Sequence, residues 1–292
     1  MQSLTNEIFP PYPCQPYPKL IINACLTGMV PAKKDNPHLP VTPAEIIDDA
    51  IRCWRAGASI VHIHARDDEG KPSYKKDIYA QIIEGIRQQC PELILCVSTS
   101  GRVHNEFEQR SQVLELDGAL KPDMASLTLG SLNFMNQASV SSPEMIEKLL
   151  AKMTGNGIVP ELELFDTGMI NTAKVLMKKG LLKEQCYGNI LLGSIYSAPA
   201  TVFDLATMVQ RLPHGFVWSA AGIGKFQQAM NFAAMLMGGH VRVGLEDSVF
   251  YRDNQLATNE MLIKRIVRFA DDIGRGISTP QDTRQLLGIP LR

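Results

Sequence analysis

The 292-residue sequence predicts an α/β protein built as a single (β/α)8, or TIM, barrel. Short apolar runs rich in β-branched residues alternate with amphipathic helical stretches eight times, the pattern of a parallel sheet buried on both faces by crossover helices. The span from Lys19 to about Asp272 fits one barrel of roughly 250 residues. A doubly wound dinucleotide-binding sheet is disfavoured because no G-x-G-x-x-G follows the first run. Leu26, Thr27, Gly28, Met29, Val30 and Pro31 lead there into a long polar loop.

The strand candidates in order are Lys19 to Cys25, Ser59 to His64, Leu93 to Ser98, Met124 to Thr128, Val159 to Leu164, Asn189 to Gly193, Phe216 to Ala220 and His240 to Gly244. After the first, Thr42, Pro43 and Glu45 supply an N-cap, an N1 proline and a capping-box glutamate for a helix running to about Ala56, where Gly57 ends it. Asp77 to Cys90 and Asn259 to Asp272 carry the apolar spacing of surface helices, and Ser142 with Pro143 opens another. Thr279 and Pro280 start a short extra helix after the eighth repeat. The expected division is a proline-rich N-terminal extension, 1–18, and one catalytic barrel, 19–292.

With 45% hydrophobic and 20% charged residues, the chain has the composition of a globular protein with a sizeable core. A net charge of −1, from 29 basic and 30 acidic residues without long runs, gives no reason to expect nucleic acid or an anionic membrane as partner. Cys14, Cys25, Cys53, Cys90, Cys96 and Cys186 contain no C-x-x-C pair and read as reduced thiols. No stretch reaches the ~20 apolar residues of a membrane span, and the start has no signal-peptide pattern, so a cytoplasmic protein is expected.

In a barrel, chemistry sits at the C-terminal ends of the strands. The second ends in His62, Ile63, His64, and side chains two apart on a strand share a face, so both imidazoles reach one point. Such a pair suits zinc, whose catalytic sites use three protein ligands and an open position; the alternative is two hydrogen-bonded interior residues. By the same alternation Arg242, Gly244 and Glu246 point inward, and Glu246 completes a His2Glu set unless it merely begins a solvated loop. Asp247, held ionised by Arg242, has the chemistry to take a proton from carbon next to a carbonyl. Ser98, Gly101 and, near the fourth strand's end, Ser126 let hydroxyls and backbone N–H groups approach an anion. Glu161 and Glu163 share one face of the fifth strand. Interior carboxylates need a partner, so at least one is expected at the metal site or on Arg242, with a structural ion pair as the alternative. Glu163 lies nearer the catalytic end. The Gly222, Ile223, Gly224, Lys225 turn reads as a tight turn or a phosphate cradle. His38 and His104 read as surface or packing residues.

Taken together, Asn23 to Thr42 (NACLTGMVPAKKDNPHLPVT), Gly57 to Asp67 (GASIVHIHARD), Ser98 to Arg102 (STSGR), Pro160 to Met169 (PELELFDTGM) and Gly238 to Asp247 (GGHVRVGLED) resemble the β-keto acid cleavage enzyme family, whose best-known type is the 3-keto-5-aminohexanoate cleavage enzyme. HIHARD and GGHVRVGLED are the most specific pieces, and the resemblance covers nearly everything after Lys19. It implies a TIM barrel, usually a homotetramer, with a divalent metal, usually zinc, on His62, His64 and Glu246. It further implies Asp247 as base, Arg242 as its orienting partner, Ser98, Gly101 and Ser126 around the substrate carboxylate, and a PELE glutamate, assigned to Glu163 with Glu161 as alternative. The implied reaction joins a β-keto acid and acetyl-CoA to give acetoacetate and a new acyl-CoA. One departure stands out: the amino-substrate enzymes carry a glutamate in the loop after the first strand, and Leu26 to Val30 offer none, which predicts a neutral or anionic substrate side group.

Three competing readings remain. A hydrolase of the amidohydrolase type would need H-x-H on the first strand and histidines on the fifth and sixth, which hold none. A metal-dependent aldolase shares the proton abstraction and would differ in not needing acetyl-CoA. A non-enzymatic barrel would use the polar residues structurally.

Overall fold

A computed structural model of the chain describes residues 17–291; Pro10 to Pro16 of the extension, and Cys14, lie outside them. Eight parallel strands close into a barrel: β1 (Ile22–Cys25), β2 (Ile60–Ile63), β3 (Ile94–Val97), β4 (Met124–Thr128), β5 (Val159–Leu164), β6 (Tyr187–Leu192), β7 (Val217–Gly222) and β8 (His240–Val243). Each pairs with its sequence neighbours and β8 returns to β1, with Asn23 opposite Arg242. The helices are α1 (Pro43–Arg55), α2 (Lys76–Gln89), α3 (Phe107–Arg110), α4 (Pro143–Gly155), α5 (Thr167–Lys178), α6 (Val202–Arg211), α7 (Gln227–Leu236), α8 (Asn259–Asp272) and α9 (Pro280–Leu287). The Thr42 capping box forms as expected, and Thr279 makes another with Asp282. The third crossover departs from the regular pattern. It holds only the single turn α3 and two short 3-10 turns, Gln112–Glu115 and Gly118–Leu120.

The N-terminal end of the barrel is sealed. Ile21, Ile60, Ile94, Met124 and Tyr187 pack with Leu287 and Ile289, so α9 and the residues after it plug the opening. Arg284, 1% exposed, donates to Asp123 Oδ1 at 3.0 Å, to the Glu92 carbonyl at 3.0 Å and to the Pro290 carbonyl at 2.8 Å. Asp123 also accepts from Arg87 and from the Leu95 amide. Burial would raise the Asp123 carboxyl, but the two guanidiniums hold it below its ordinary value. His240 accepts from the Ile21 amide through Nδ1 at 3.0 Å, and burial, with Arg275 nearby, lowers it to about 3.

Candidate active site

The C-terminal half of the interior is lined with ionisable side chains, where the other end is plugged by an apolar cluster. Alternation turns His62 and His64 inward from β2, Glu161 and Glu163 from β5, and Arg242 from β8. His62 is fully buried and its Nδ1 lies 2.7 Å from Glu161 Oε2. A carboxylate accepts only, so Nδ1 carries a proton, and Nε2 is the nitrogen turned to the mouth. His64 Nε2 lies 3.2 Å from that nitrogen and 3.2 Å from Glu246 Oε1, and Glu246 Oε2 is 3.9 Å from His62 Nε2. The three residues offer ligand atoms all within 4.8 Å of one another. Burial alone would raise the Glu161 carboxyl, yet His62 beside it and Arg242 bring it down to about 2. Burial would likewise raise Glu246, and Arg242, His64 and His62 hold it well below the carboxylate range. His64 is lowered by burial. His62 is raised despite burial, because Glu161 and Glu246 face it.

This donor set fits a divalent cation. Glu246 Oε2 is buried and has no hydrogen-bond partner among the described residues, a costly state for an ionised oxygen. Two imidazole nitrogens and a carboxylate converge in the His2Glu arrangement that leaves a coordination position open. Gly28 holds the wall: at φ +67° its backbone passes so near Glu246 that a Cβ there would lie 2.5 Å from the glutamate Cγ. Arg66 of the HIHARD segment fixes that loop through the Gly28 carbonyl at 2.6 Å and the Pro31 carbonyl at 2.9 Å.

Arg242 is 1% exposed and gathers three carboxylates. Its Nε donates to Asp247 Oδ2 at 3.0 Å, its Nη2 to Glu246 Oε1 at 2.7 Å, and its Nη1 to Glu163 Oε1 at 3.4 Å. Burial would lower this guanidinium, but Asp247 and Glu246 raise it well above its ordinary value, so it is permanently charged. Thr128 Oγ1 donates to Glu163 Oε2 at 2.6 Å, and Cys25 Sγ to Asp247 Oδ2 at 3.2 Å. Strand β8 ends at Val243, short of the alternation read from the sequence. Glu246 and Asp247 sit in the turn beyond it, which begins where the Cys25 carbonyl approaches Gly244 too closely for any side chain.

The hydroxyl group divides. Ser98 borders a cleft with His64, Met29 and Thr99, whereas Ser126 Oγ accepts from the Thr99 amide at 3.3 Å. Gly101 backs onto Arg110, which ties the loop down through the carbonyls of Thr99 and Val140. The Gly222 to Lys225 turn is a tight turn: the Gly224 amide donates to the Asp247 carbonyl at 2.7 Å, so that group already has a partner. His104 packs edge-on to Tyr74, as a packing histidine should. The five described cysteines are free and buried.

Sequence reasoning did not single out Cys25 or Arg102. Period-two alternation along β1 would have turned Asn23 and Cys25 inward, which was the available signal for the first. Arg102 lies with its guanidinium carbon 3.2 Å from the Phe134 ring centre, within electrostatic reach of Glu246, Glu163 and Asp247. Its orientation depends on Phe134, distant in sequence, so no local pattern carried it.

The fold and site define a (β/α)8-barrel enzyme with a candidate cation centre next to an arginine-held aspartate. The model of the beta-keto acid cleavage enzyme family matches residues 19–289, and the chain belongs to that family. It is 39% identical to the 3-keto-5-aminohexanoate cleavage enzyme of Fusobacterium nucleatum subsp. nucleatum, over 93% of this chain and 98% of that protein. It is 35% identical to the 3-oxoadipate:acetyl-CoA acetyltransferase of Cupriavidus necator, over 92% of this chain and 95% of that one. Among solved structures, apo ObcA superposes with a TM-score of 0.80 at 21% identity, covering 87% of this chain and 66% of ObcA, just under two thirds of its length. That likeness concerns the fold.

Proposed function

We propose that this protein is a zinc-dependent acyltransferase that condenses a β-keto acid with acetyl-CoA to give acetoacetate and a new acyl-CoA. The observation that carries the reading is the Glu246 carboxylate, set against the imidazole nitrogens of His62 and His64 with its buried Oε2 lacking a hydrogen bond, beside an Arg242-held Asp247. Family membership and the names of the relatives supply the reaction class.

A divalent cation such as Zn2+ held by His62, His64 and Glu246 would supply Lewis-acid polarisation of the keto group. Asp247 takes the α-proton of the keto acid, and Arg242 keeps that carboxylate ionised and aimed. The α-carbon, now bearing the electron pair, attacks the thioester carbonyl of acetyl-CoA and displaces the coenzyme A thiolate. The thiolate then attacks the original keto carbon. Cleavage of the bond between that carbon and the α-carbon releases the new acyl-CoA, and Asp247 returns its proton to the α-carbon of acetoacetate. Glu163, on Nη1 of Arg242 and on Thr128, orients the arginine from the side opposite Asp247. Ser98 and the Gly101 backbone receive the substrate carboxylate, with Ser126 bracing their loop.

The substrate side group is neutral or anionic. Val30 is 65% exposed in the loop over the mouth, where it offers no anion, and Arg102 adds a cation stacked on Phe134. A homotetramer in the cytoplasm belongs to the same reading. The exposed Ile195, Tyr196, Val202 and Phe203 around the start of α6 support an interface, and no helix among the described residues is long and apolar enough to cross a membrane.

The test is a screen of metal-loaded protein against a panel of β-keto acids, reading acetoacetate, with and without acetyl-CoA. Acetoacetate that requires acetyl-CoA supports the reading. Cleavage that proceeds without it identifies an aldolase or hydrolase instead, and better turnover of a cationic 5-amino substrate than of neutral analogues would remove the side-group assignment.

A further inference from the structure

A groove of about 350 Å³ lies on the outside of the barrel between α7 and α8, roofed by the hairpin Phe250–Arg252 with Gln255–Leu256 that follows β8. Arg252, Arg265 and Arg268 line it, against a single acid, Asp272. Among the described residues none of these three arginines forms an ion pair. Arg265 is only 5% exposed. Its Nη1 donates to the Tyr251 carbonyl at 2.6 Å and to Gln228 Oε1 at 3.3 Å, while its buried Nε has no partner. The contrast with the buried arginines that, like it, meet no carboxylate is informative. Arg66, Arg110 and Arg275 each bond through Nε and both Nη atoms to carbonyls or a hydroxyl. Arg265 alone of this group keeps a buried donor idle, with Arg268, of like charge, adjacent.

A buried cation with an unused donor is costly unless an anion completes it. The guanidinium fork matches phosphate oxygens. The groove also offers flat apolar surface: Phe232 and Phe269 stack at 4.0 Å and 15°, and the Tyr251 ring covers Arg265 at 4.6 Å. Phosphate next to an aromatic platform describes a nucleotide. The loops after strands seven and eight are where barrels hold phosphate, and the Gly222 to Lys225 turn is already occupied by Asp247. Reach agrees too. Tyr251 follows Asp247 by four residues, at most about 14 Å of extended chain. The pantetheine arm, with about twelve chain atoms between sulfur and the first phosphorus, spans a similar length, about 15 Å by the same measure.

We propose that this groove binds the 3′-phosphoadenosine end of acetyl-CoA, with Arg265 and Arg268 on the phosphate and the aromatic side chains against the base. The identity of the nucleotide rests on the acetyl-CoA-dependent reading above; the anion-binding character of the groove does not.

The experiment is a calorimetric titration of the full chain with adenosine 3′,5′-bisphosphate, which carries no thioester, alongside adenosine 5′-monophosphate. The bisphosphate is expected to bind at least about tenfold tighter, and Arg268→Glu and Arg252→Glu each to weaken it by about tenfold. In turnover, Arg268→Glu is expected to raise the KM for acetyl-CoA by a similar factor while the KM for the keto acid stays within about twofold. Equal binding of the bisphosphate by wild type and both variants, or none by wild type, overturns the proposal. So does a variant whose sedimentation changes while its bisphosphate affinity does not, which would make the groove a contact between copies. Bisphosphate binding lost in the variants, in a protein that shows no acetyl-CoA turnover, supports the groove and removes the proposed reaction instead.

Discussion

The two ends of the barrel interior hold buried charge in opposite ways. At the N-terminal end Arg284 and Asp123 are saturated: each meets charged and backbone partners, and α9 shuts water out with Leu287 and Ile289. At the C-terminal end one guanidinium, Arg242, faces the carboxylates of Glu163, Glu246 and Asp247, with Glu161 beyond His62, and one oxygen of Glu246 is left over. Completed pairing fixes a structure. Incomplete pairing with excess negative charge leaves a place where a cation and a substrate would fit.

The sharpest way to test that division is to damage the open end alone. Asp247→Asn keeps volume and most hydrogen bonds, so kcat is expected to fall by about 10²–10⁴-fold with metal content and thermal midpoint little changed. A variant with normal turnover would sink the assignment of Asp247 as base. Next in size, Asp123→Ala at the closed end strands two guanidiniums and is expected to lower stability by about 3–5 kcal/mol in urea unfolding, with the turnover of the remaining folded enzyme nearly intact. Should kcat per folded molecule collapse instead, the two ends are coupled and the comparison fails.

Smaller effects probe the layer behind the proposed cation site. Glu161→Gln removes the anion that sets the His62 tautomer, and a chelator competition is expected to show metal affinity about 10–100-fold weaker. Unaltered affinity would make Glu161 a structural partner only. The smallest effect concerns pH at the closed end. His240 is lowered from 6.5 to about 3, so the unfolded chain binds the extra proton and stability falls as pH drops through that window. The expected slope is about 1.4 kcal/mol per pH unit at most, read from urea midpoints at about pH 7 and about pH 5. His240→Asn, which offers the Ile21 amide an acceptor without titrating, should flatten it.

Much of this was legible in the chain. Apolar runs separated by capped helices determined the barrel, because a parallel strand buried on both faces has no polar alternation and a capping box has a fixed spacing. His62 and His64 could be placed on one face because a strand has period two. Period two also put Glu161 and Glu163 together but could not divide their duties. That division, one on His62 and the other on Arg242, depends on which strands stand across the barrel. Arg102 on Phe134 and Cys25 on Asp247 are likewise contacts between segments remote in sequence, and the idle Nε of Arg265 likewise depends on which segments pack around it. Local propensity and periodicity report what a segment does with its own backbone and which way its side chains face. Which charges finally meet, and which one is left without a partner, was decided only when the barrel closed.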